Sequence, residues 1–158
     1  MEERIYYVDI APVAVTVAVD IVELTPADDK PISIHAILDI LQTTDVGDAA
    51  EEIIGLVWVR GHTTSGAGGV VVTPRPKNPS DVAAGFTAEA LNTTQATLGT
   101  PVNLPRHGWN IRIPLSITYT PEIRPEASQG QTTLILRMAA APLDSITMSG
   151  SITVGEVG

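Results

Sequence analysis

Hydrophobic and polar residues alternate along most of the chain with a period of two. The clearest example is residues 145–154, SITMSGSITV, in which serines and threonines alternate with isoleucine, methionine and valine. Successive side chains of a β-strand point to opposite faces, so this pattern predicts a strand with one buried face. Gly150 falls on the apolar face, which indicates a bulge or a close approach of another backbone.

Seven further segments have the composition of strands. They are residues 4–10, 13–24, 31–42, 52–60, 70–73, 109–120 and 131–139. Pro12 separates the first two segments, and Pro114 indicates an edge strand or a bulge within the sixth. Eight or nine short strands separated by Pro, Gly, Asp and Asn predict one all-β domain over residues 1–158, a sandwich or a barrel.

Two segments allow more than one structure. Residues 80–94, SDVAAGFTAEALNTT, fit a short helix that begins at Ser80 or Asp81, although Gly85 weakens it, and GFTAEAL also fits a strand. Residues 45–53, DVGDAAEEI, fit either one helical turn or a charged loop.

Composition and charge exclude several functions. The chain of 158 residues has no cysteine, which rules out disulfides and thiolate metal sites. It has 9 basic and 18 acidic residues, a net charge of −9, which disfavours nucleic acid as a partner. No stretch is apolar enough for a transmembrane helix, and no signal peptide is evident, so the sequence predicts a protein made in the cytoplasm without a membrane partner. A charged fraction of only 17% predicts that part of the surface is covered in an oligomer.

Residues 60–81, RGHTTSGAGGVVVTPRPKNPSD, contain a serine and a glycine cluster of the kind found in motifs that bind phosphate or supply a nucleophile. A Walker loop requires Lys-Ser or Lys-Thr after its last glycine, and Val70 follows Gly69. A dinucleotide fingerprint would require a glycine at Val71, and a nucleophile elbow around Ser65 would require glycines on both sides at fixed spacing. Since none of the three motifs is present, this stretch is interpreted as a flexible loop or hairpin tip.

The histidines do not form a metal motif. His35 is predicted on a strand and His62 and His107 in loops, and no His-x-His pair is present. No metal site and no cofactor are therefore predicted.

The remaining candidate chemistry is sparse. The acids at 45, 48, 51 and 52 match no calcium loop and are interpreted as a solvated acidic loop. Trp58 and Trp109 are expected in the core, so no sugar cleft lined with aromatic residues is predicted. With no catalytic constellation, the chain is not expected to be an enzyme.

Three segments taken together carry a family resemblance. Residues 43–69 combine an acidic loop with a strand that ends in Arg-Gly and a loop rich in serine and glycine. Residues 74–100 contain a proline-rich loop and an NTTQAT turn, and residues 136–158 end in an APLDSITMSG strand. In these features, over about two-thirds of its length, the chain resembles the small jelly-roll head proteins of tailed bacteriophages, which decorate or cement the capsid.

The resemblance implies a jelly-roll-like sandwich of about eight strands with little or no helix. It further implies a homo-oligomer, a trimer, bound to the major capsid protein on the outer surface of the virion. Residues 60–81 would project as a loop, and Arg60, His62, Arg75 and Lys77 would contact the capsid or a neighbouring subunit. The resemblance also favours a strand over residues 84–92.

Two other functions compete with this one. A carbohydrate- or receptor-binding β-sandwich, as in fibres and lectins, predicts exposed aromatic residues on loops. A cupin-like enzyme predicts the histidine pair that the chain lacks.

Overall fold

The structure of the protein is a computed structural model that describes residues 2–42, 51–128 and 133–158. These residues form twelve strands: β1 (Glu3–Val15), β2 (Asp20–Thr25), β3 (Ile32–Gln42), β4 (Ile53–Arg60), β5 (Val70–Val72), β6 (Arg75–Pro76), β7 (Thr87–Asn92), β8 (Val102–Asn110), β9 (Leu115–Thr118), β10 (Glu126–Ala127), β11 (Leu134–Met138) and β12 (Ile146–Val157). The helical content of the described residues is one 3-10 turn, Pro121–Ile123. The prediction of an all-β chain with little helix is therefore confirmed.

The strands form two antiparallel sheets that pack face to face. Sheet I has the order β10-β3-β12-β1-β6, and β9 pairs with β3 beside β10. Sheet II has the order β5-β7-β2-β11-β4-β8. One apolar cluster fills the space between them, with Tyr6 and Ile152 from sheet I and Leu24 and Trp58 from sheet II all fully buried. This arrangement is the β-sandwich that the alternating pattern predicted.

Strand β12 matches its prediction closely. Ile146, Met148, Ile152 and Val154 are buried, and the serines and threonines of the strand lie on the other face. The pairing of β12 with β3 shifts between Ser149 and Ser151, so Gly150 sits at an irregularity of the ladder. A Cβ added at Gly150 would lie 3.2 Å from the Cα of Ile40 and closer still to its side chain, so both the bulge and the close approach are present.

Strand β1 corrects the predicted break at Pro12. The strand continues through this proline to Val15, and its pairing with β12 shifts register between Ile10 and Val13. Proline lacks an N–H group, and a bulge tolerates that loss within a strand. The chain leaves the sheet later, at residues 16–19, before β2 begins at Asp20.

Residues 109–120 do not form one strand, as the pattern had predicted. Strand β8 ends at Asn110, residues 111–114 form a turn, and β9 begins at Leu115. The indole of Trp109 donates a hydrogen bond to the carbonyl of Ile113 at 2.9 Å, which holds the turn closed. Most of β8, residues 102–108, was not among the predicted strands, and it contains Pro105. Proline is compatible with this position since β8 is the edge of sheet II.

The ambiguous segment 80–94 contains a strand rather than a helix. Strand β7 covers Thr87–Asn92 and pairs with β2. This agrees with the strand expected over residues 84–92, although the strand is shorter. Of the other ambiguous segment, residues 45–50 lie outside the described residues, and Ile53 is the first residue of β4.

Candidate functional site

The four residues expected at a capsid or subunit contact lie in two places. Arg60 ends β4 in sheet II, where its Nη1 atom donates to the carbonyl of Glu126 at 2.9 Å, and His62 follows it. Arg75 lies on β6 at the edge of sheet I, and Lys77 follows this strand. Arg75 and Lys77 are exposed, whereas His62 is only 7% exposed. The structure thus keeps the four residues as two pairs on different sheets.

Residues 61–69 do not project, which corrects that part of the expected loop. They run beside residues 93–99, and we call these two segments the straps. Paired backbone hydrogen bonds join Thr64 to Thr97 and Ala67 to Thr94, each at 3.0 Å. Beneath them, Glu23 and Val59 lie on the face of sheet II that points away from the core, yet each is 2% exposed.

The glycine cluster of the first strap permits this close packing. A Cβ added at Gly66 would lie 2.5 Å from the carbonyl oxygen of Thr94, and one at Gly69 would lie 2.3 Å from that of Ala90. Gly68 has a φ of +85°, a conformation that side chains disfavour. These glycines therefore allow the strap to approach its neighbours and do not form a phosphate cradle.

A buried ion pair lies under the second strap. The guanidinium of Arg137 donates to both carboxylate oxygens of Asp20, at 2.7 and 3.0 Å, and to the carbonyl of Ala96 at 2.8 Å. It also donates to Nε2 of His62 at 3.0 Å. Because arginine can only donate, the other ring nitrogen of His62 carries the proton and donates to the carbonyl of Leu98 at 2.9 Å. The ion pair therefore ties both straps to sheet II.

A second polar cluster lies under the first strap. The carboxylate of Glu23 accepts hydrogen bonds from the Ser65 hydroxyl, from the Gly66 amide at 2.9 Å and from the Asn92 side chain at 3.2 Å. The same Asn92 amide group donates to Glu89 at 2.9 Å. Glu23 and Glu89 face each other across β2 and β7, so Asn92 separates two carboxylates that would otherwise repel. The Ser65 hydroxyl is bound to a carboxylate with no histidine beside it in these contacts, which gives no activated nucleophile.

Sequence reasoning missed Asp20, Glu23 and Arg137. One signal was present, because two acids interrupt the otherwise apolar segment VAVDIVEL of residues 17–24. A charge inside an apolar strand is rarely buried without a partner. The identity of that partner depends on long-range strand pairing, which the local pattern does not contain.

A serine, a histidine and a glutamate meet at the start of β1. The Ser33 hydroxyl donates to Oε1 of Glu3 at 2.7 Å, and the His35 ring contacts the same oxygen at 2.9 Å. Partial burial acts to raise the pKa of Glu3, but hydrogen bonds from Ser33 and His35, with the charges of His35 and Arg124, outweigh it and lower the pKa. The carboxylate sits between the other two groups, so the histidine is not placed to take the serine proton, as nucleophilic catalysis requires.

A cavity of about 280 Å³ lies beside Glu3. Its lining includes Ser33, Arg124 and Glu126, and it contains no aromatic residue. Sugar-binding clefts are usually built around aromatic faces, so this cavity does not favour a carbohydrate ligand.

A hydrogen-bond chain connects the sheets on the side of the sandwich formed by β8 and β9. The indole of Trp58 donates to the hydroxyl of Tyr119 at 3.0 Å, and that hydroxyl donates to Nε2 of His107 at 2.6 Å. Burial lowers the pKa of His107, consistent with the neutral ring that accepts this bond. His107 lies on β8 and not in a loop, which corrects its predicted position.

No metal centre is formed by the described residues, in which no three His, Asp or Glu side chains are grouped to hold an ion. Of the acids at 45, 48, 51 and 52, the first two lie outside the described residues. Glu51 is exposed, and Glu52 accepts two hydrogen bonds from the backbone amide of Leu143, at 3.0 and 3.2 Å.

Comparison with protein-family models, with curated proteins and with solved structures finds no match to this chain. None of the helical segments in the described residues has the length and apolar character needed to cross a membrane.

Proposed function

We propose that the protein is a structural subunit of a virion, which decorates or cements the outer surface of a tailed-phage capsid as a homotrimer. It stabilises the head by adding contacts between capsid subunits, and it performs no catalysis.

The observation that carries this proposal is the strand order. Sheet I contains the run β1-β12-β3-β9, and sheet II contains β2-β11-β4-β8. Numbered in chain order, these eight strands lie as 1-8-3-6 and 2-7-4-5. This order supports the double Greek key of a jelly roll, a fold common in viral capsid proteins and also found in lectins and cupins.

Side-chain placement favours the structural role over the two other uses of this fold. A cupin needs a cluster of metal ligands, and the described residues contain none. A sugar-binding module presents aromatic faces, whereas five of the six aromatic residues are buried and Tyr7 alone, on β1, is exposed. The buried polar groups under the straps bind one another, which is typical of a structural role.

The experiment adds purified protein to heads of the encoding virus prepared without it. The temperature at which the heads release their DNA is then measured with and without the protein, with serum albumin as the control. We expect the protein to sediment with the heads and to raise the release temperature. Failure to sediment with them at micromolar concentration would refute the proposed function.

A further inference from the structure

One side of the sandwich has an apolar groove between two strand edges. Strand β5 is the last strand of sheet II, and on this side β1 is paired to β6 only through Tyr6 and Tyr7. Among the described residues, the side of β1 that faces away from β12 has no hydrogen-bonded strand from Val8 to Val15. We call the space between these edges the β1–β5 groove. It is lined chiefly by Ala11, Val13, Val70, Val72 and Leu91, with Asp9 at one end.

The groove is bordered by exposed valines. Val13 is 38% exposed, Val17 42% and Val70 56%, and all three line it. Natural proteins usually protect a free strand edge with a charged residue, a proline or a bulge. Strand β1 has such protection at Pro12, whereas β5 consists of three valines and is protected only by its short length. Strand β5 is therefore suited to pair with another chain.

The opposite side of the sandwich is closed by polar contacts. There the Trp58–Tyr119–His107 chain joins the two sheets, and Arg60 donates to the backbone carbonyl of Glu126. The contrast between the two sides indicates that a partner binds on the side of the β1–β5 groove.

Charges at the end of the groove indicate what that partner is. The chain crosses from β5 to β6 within two residues, which brings the exposed Arg75 and Lys77 next to the apolar edge. Neither forms an ion pair with any described residue. An acidic partner would complement these two cations, and a second copy of this chain, with 18 acids against 9 bases, has that charge.

We propose that the β1–β5 groove, the edge of β5 and the cations Arg75 and Lys77 together bind a second copy of this chain. This inference rests on the proposed function, since it supplies the subunit contact of the proposed trimer. In a ring of three copies the contact joins two different surfaces, so the groove of each subunit meets another region of the next.

The test measures molar mass by light scattering on a size-exclusion column. Val70→Lys places a charge in the β1–β5 groove at the exposed edge of β5, and Arg75→Glu with Lys77→Glu reverses the charges beside it. Val102→Lys is the matched control, because Val102 is a 46% exposed valine on β8, the opposite edge of sheet II. Thermal unfolding followed by circular dichroism checks that each variant is folded.

We expect the wild type and Val102→Lys to elute as the same oligomer and Val70→Lys to elute as the 16.6 kDa chain. The charge-reversed variant should weaken self-association at least about tenfold, and added salt should weaken that of the wild type. A monomeric wild type, or an oligomer that Val70→Lys leaves intact, would overturn the inference.

Binding to heads distinguishes an error in the contact surface from an error in the proposed function. A wild type that binds heads while Val70→Lys remains oligomeric would overturn only the groove as the contact. A wild-type oligomer that Val70→Lys dissociates, but that does not bind heads, would support the contact and refute the capsid role.

Discussion

At the scale of single residues, the polar groups buried under the straps are the least predictable part of the molecule. Asp20 is fully buried, and its charge is compensated by Arg137, which lies 117 positions away in the sequence. The family resemblance implied a capsid or subunit contact for His62, and the structure places its ring between Arg137 and a backbone carbonyl. Loop residues follow no periodic pattern, so their burial depends on which strands the fold brings beneath them.

The ion pair between Asp20 and Arg137 should be essential for stability. Arg137→Met removes the guanidinium and leaves the buried carboxylate of Asp20 without its charged partner. We expect the free energy of unfolding to fall by about 3 kcal/mol, measured by urea denaturation. Arg112→Met, at an exposed arginine in the turn after β8, is the control and should change it by less than about 0.5 kcal/mol. Equal effects of the two substitutions would show that the pair contributes nothing.

His107 should make stability depend on pH. Its pKa in the folded protein lies below the ordinary value of 6.5, because burial disfavours the charged ring. The unfolded chain then binds this proton more tightly, so the contribution is fully present above pH 6.5 and is lost as the pH falls toward the folded pKa. Between about pH 8 and about pH 5, the wild type should lose more unfolding free energy than His107→Gln.

The comparison with His107→Gln isolates one histidine. Both proteins retain His35 and His62, so any contribution from those residues is common to the two curves. Urea denaturation at each pH gives the unfolding free energy of both proteins. If the two plots of this free energy against pH are parallel, His107 is not the source of the pH dependence.

At the scale of elements, prediction succeeded where a strand has one face in the core. Alternation located β12 because its inward side chains are apolar and its outward ones are hydroxylic. It failed for β1, where Pro12 was taken to separate two strands but lies at a bulge, and for β8, whose residues 102–108 were not among the predicted strands. The pattern records which side chains are buried, whereas a proline is permitted or excluded by backbone pairing, which depends on the neighbouring strand.

Gly150 provides a test at this scale. Gly150→Val places a branched side chain against the backbone and side chain of Ile40, where the ladder between β12 and β3 is already irregular. We expect a loss of about 1–3 kcal/mol in unfolding free energy from overpacking. At Gly108 on β8 an added Cβ meets only Ile53, at 3.5 Å, so Gly108→Ala should have little effect. Thermal and urea unfolding of the two variants measure the difference, and a tolerated valine at 150 would show that the close approach carries no structural role.

At the scale of the whole molecule, the sandwich has one closed side and one open side. The composition indicated that part of the surface is covered, and Arg75 and Lys77 were expected at a contact. The sequence did not indicate that they lie beside an apolar groove, because that depends on β5, the edge of sheet II, lying next to the part of β1 that β6 does not pair with. The free β5 edge and the cations beside it fit a subunit that assembles with copies of itself.

The measurement that tests the central claim most directly is the number of copies bound per head at saturation. Heads of the encoding virus that lack the protein are titrated with it, and bound and free protein are separated by sedimentation. The account predicts saturable binding to the outer surface, with a copy number that is a multiple of three, as trimers on a symmetric shell require. Binding that never saturates, or no binding, would contradict it.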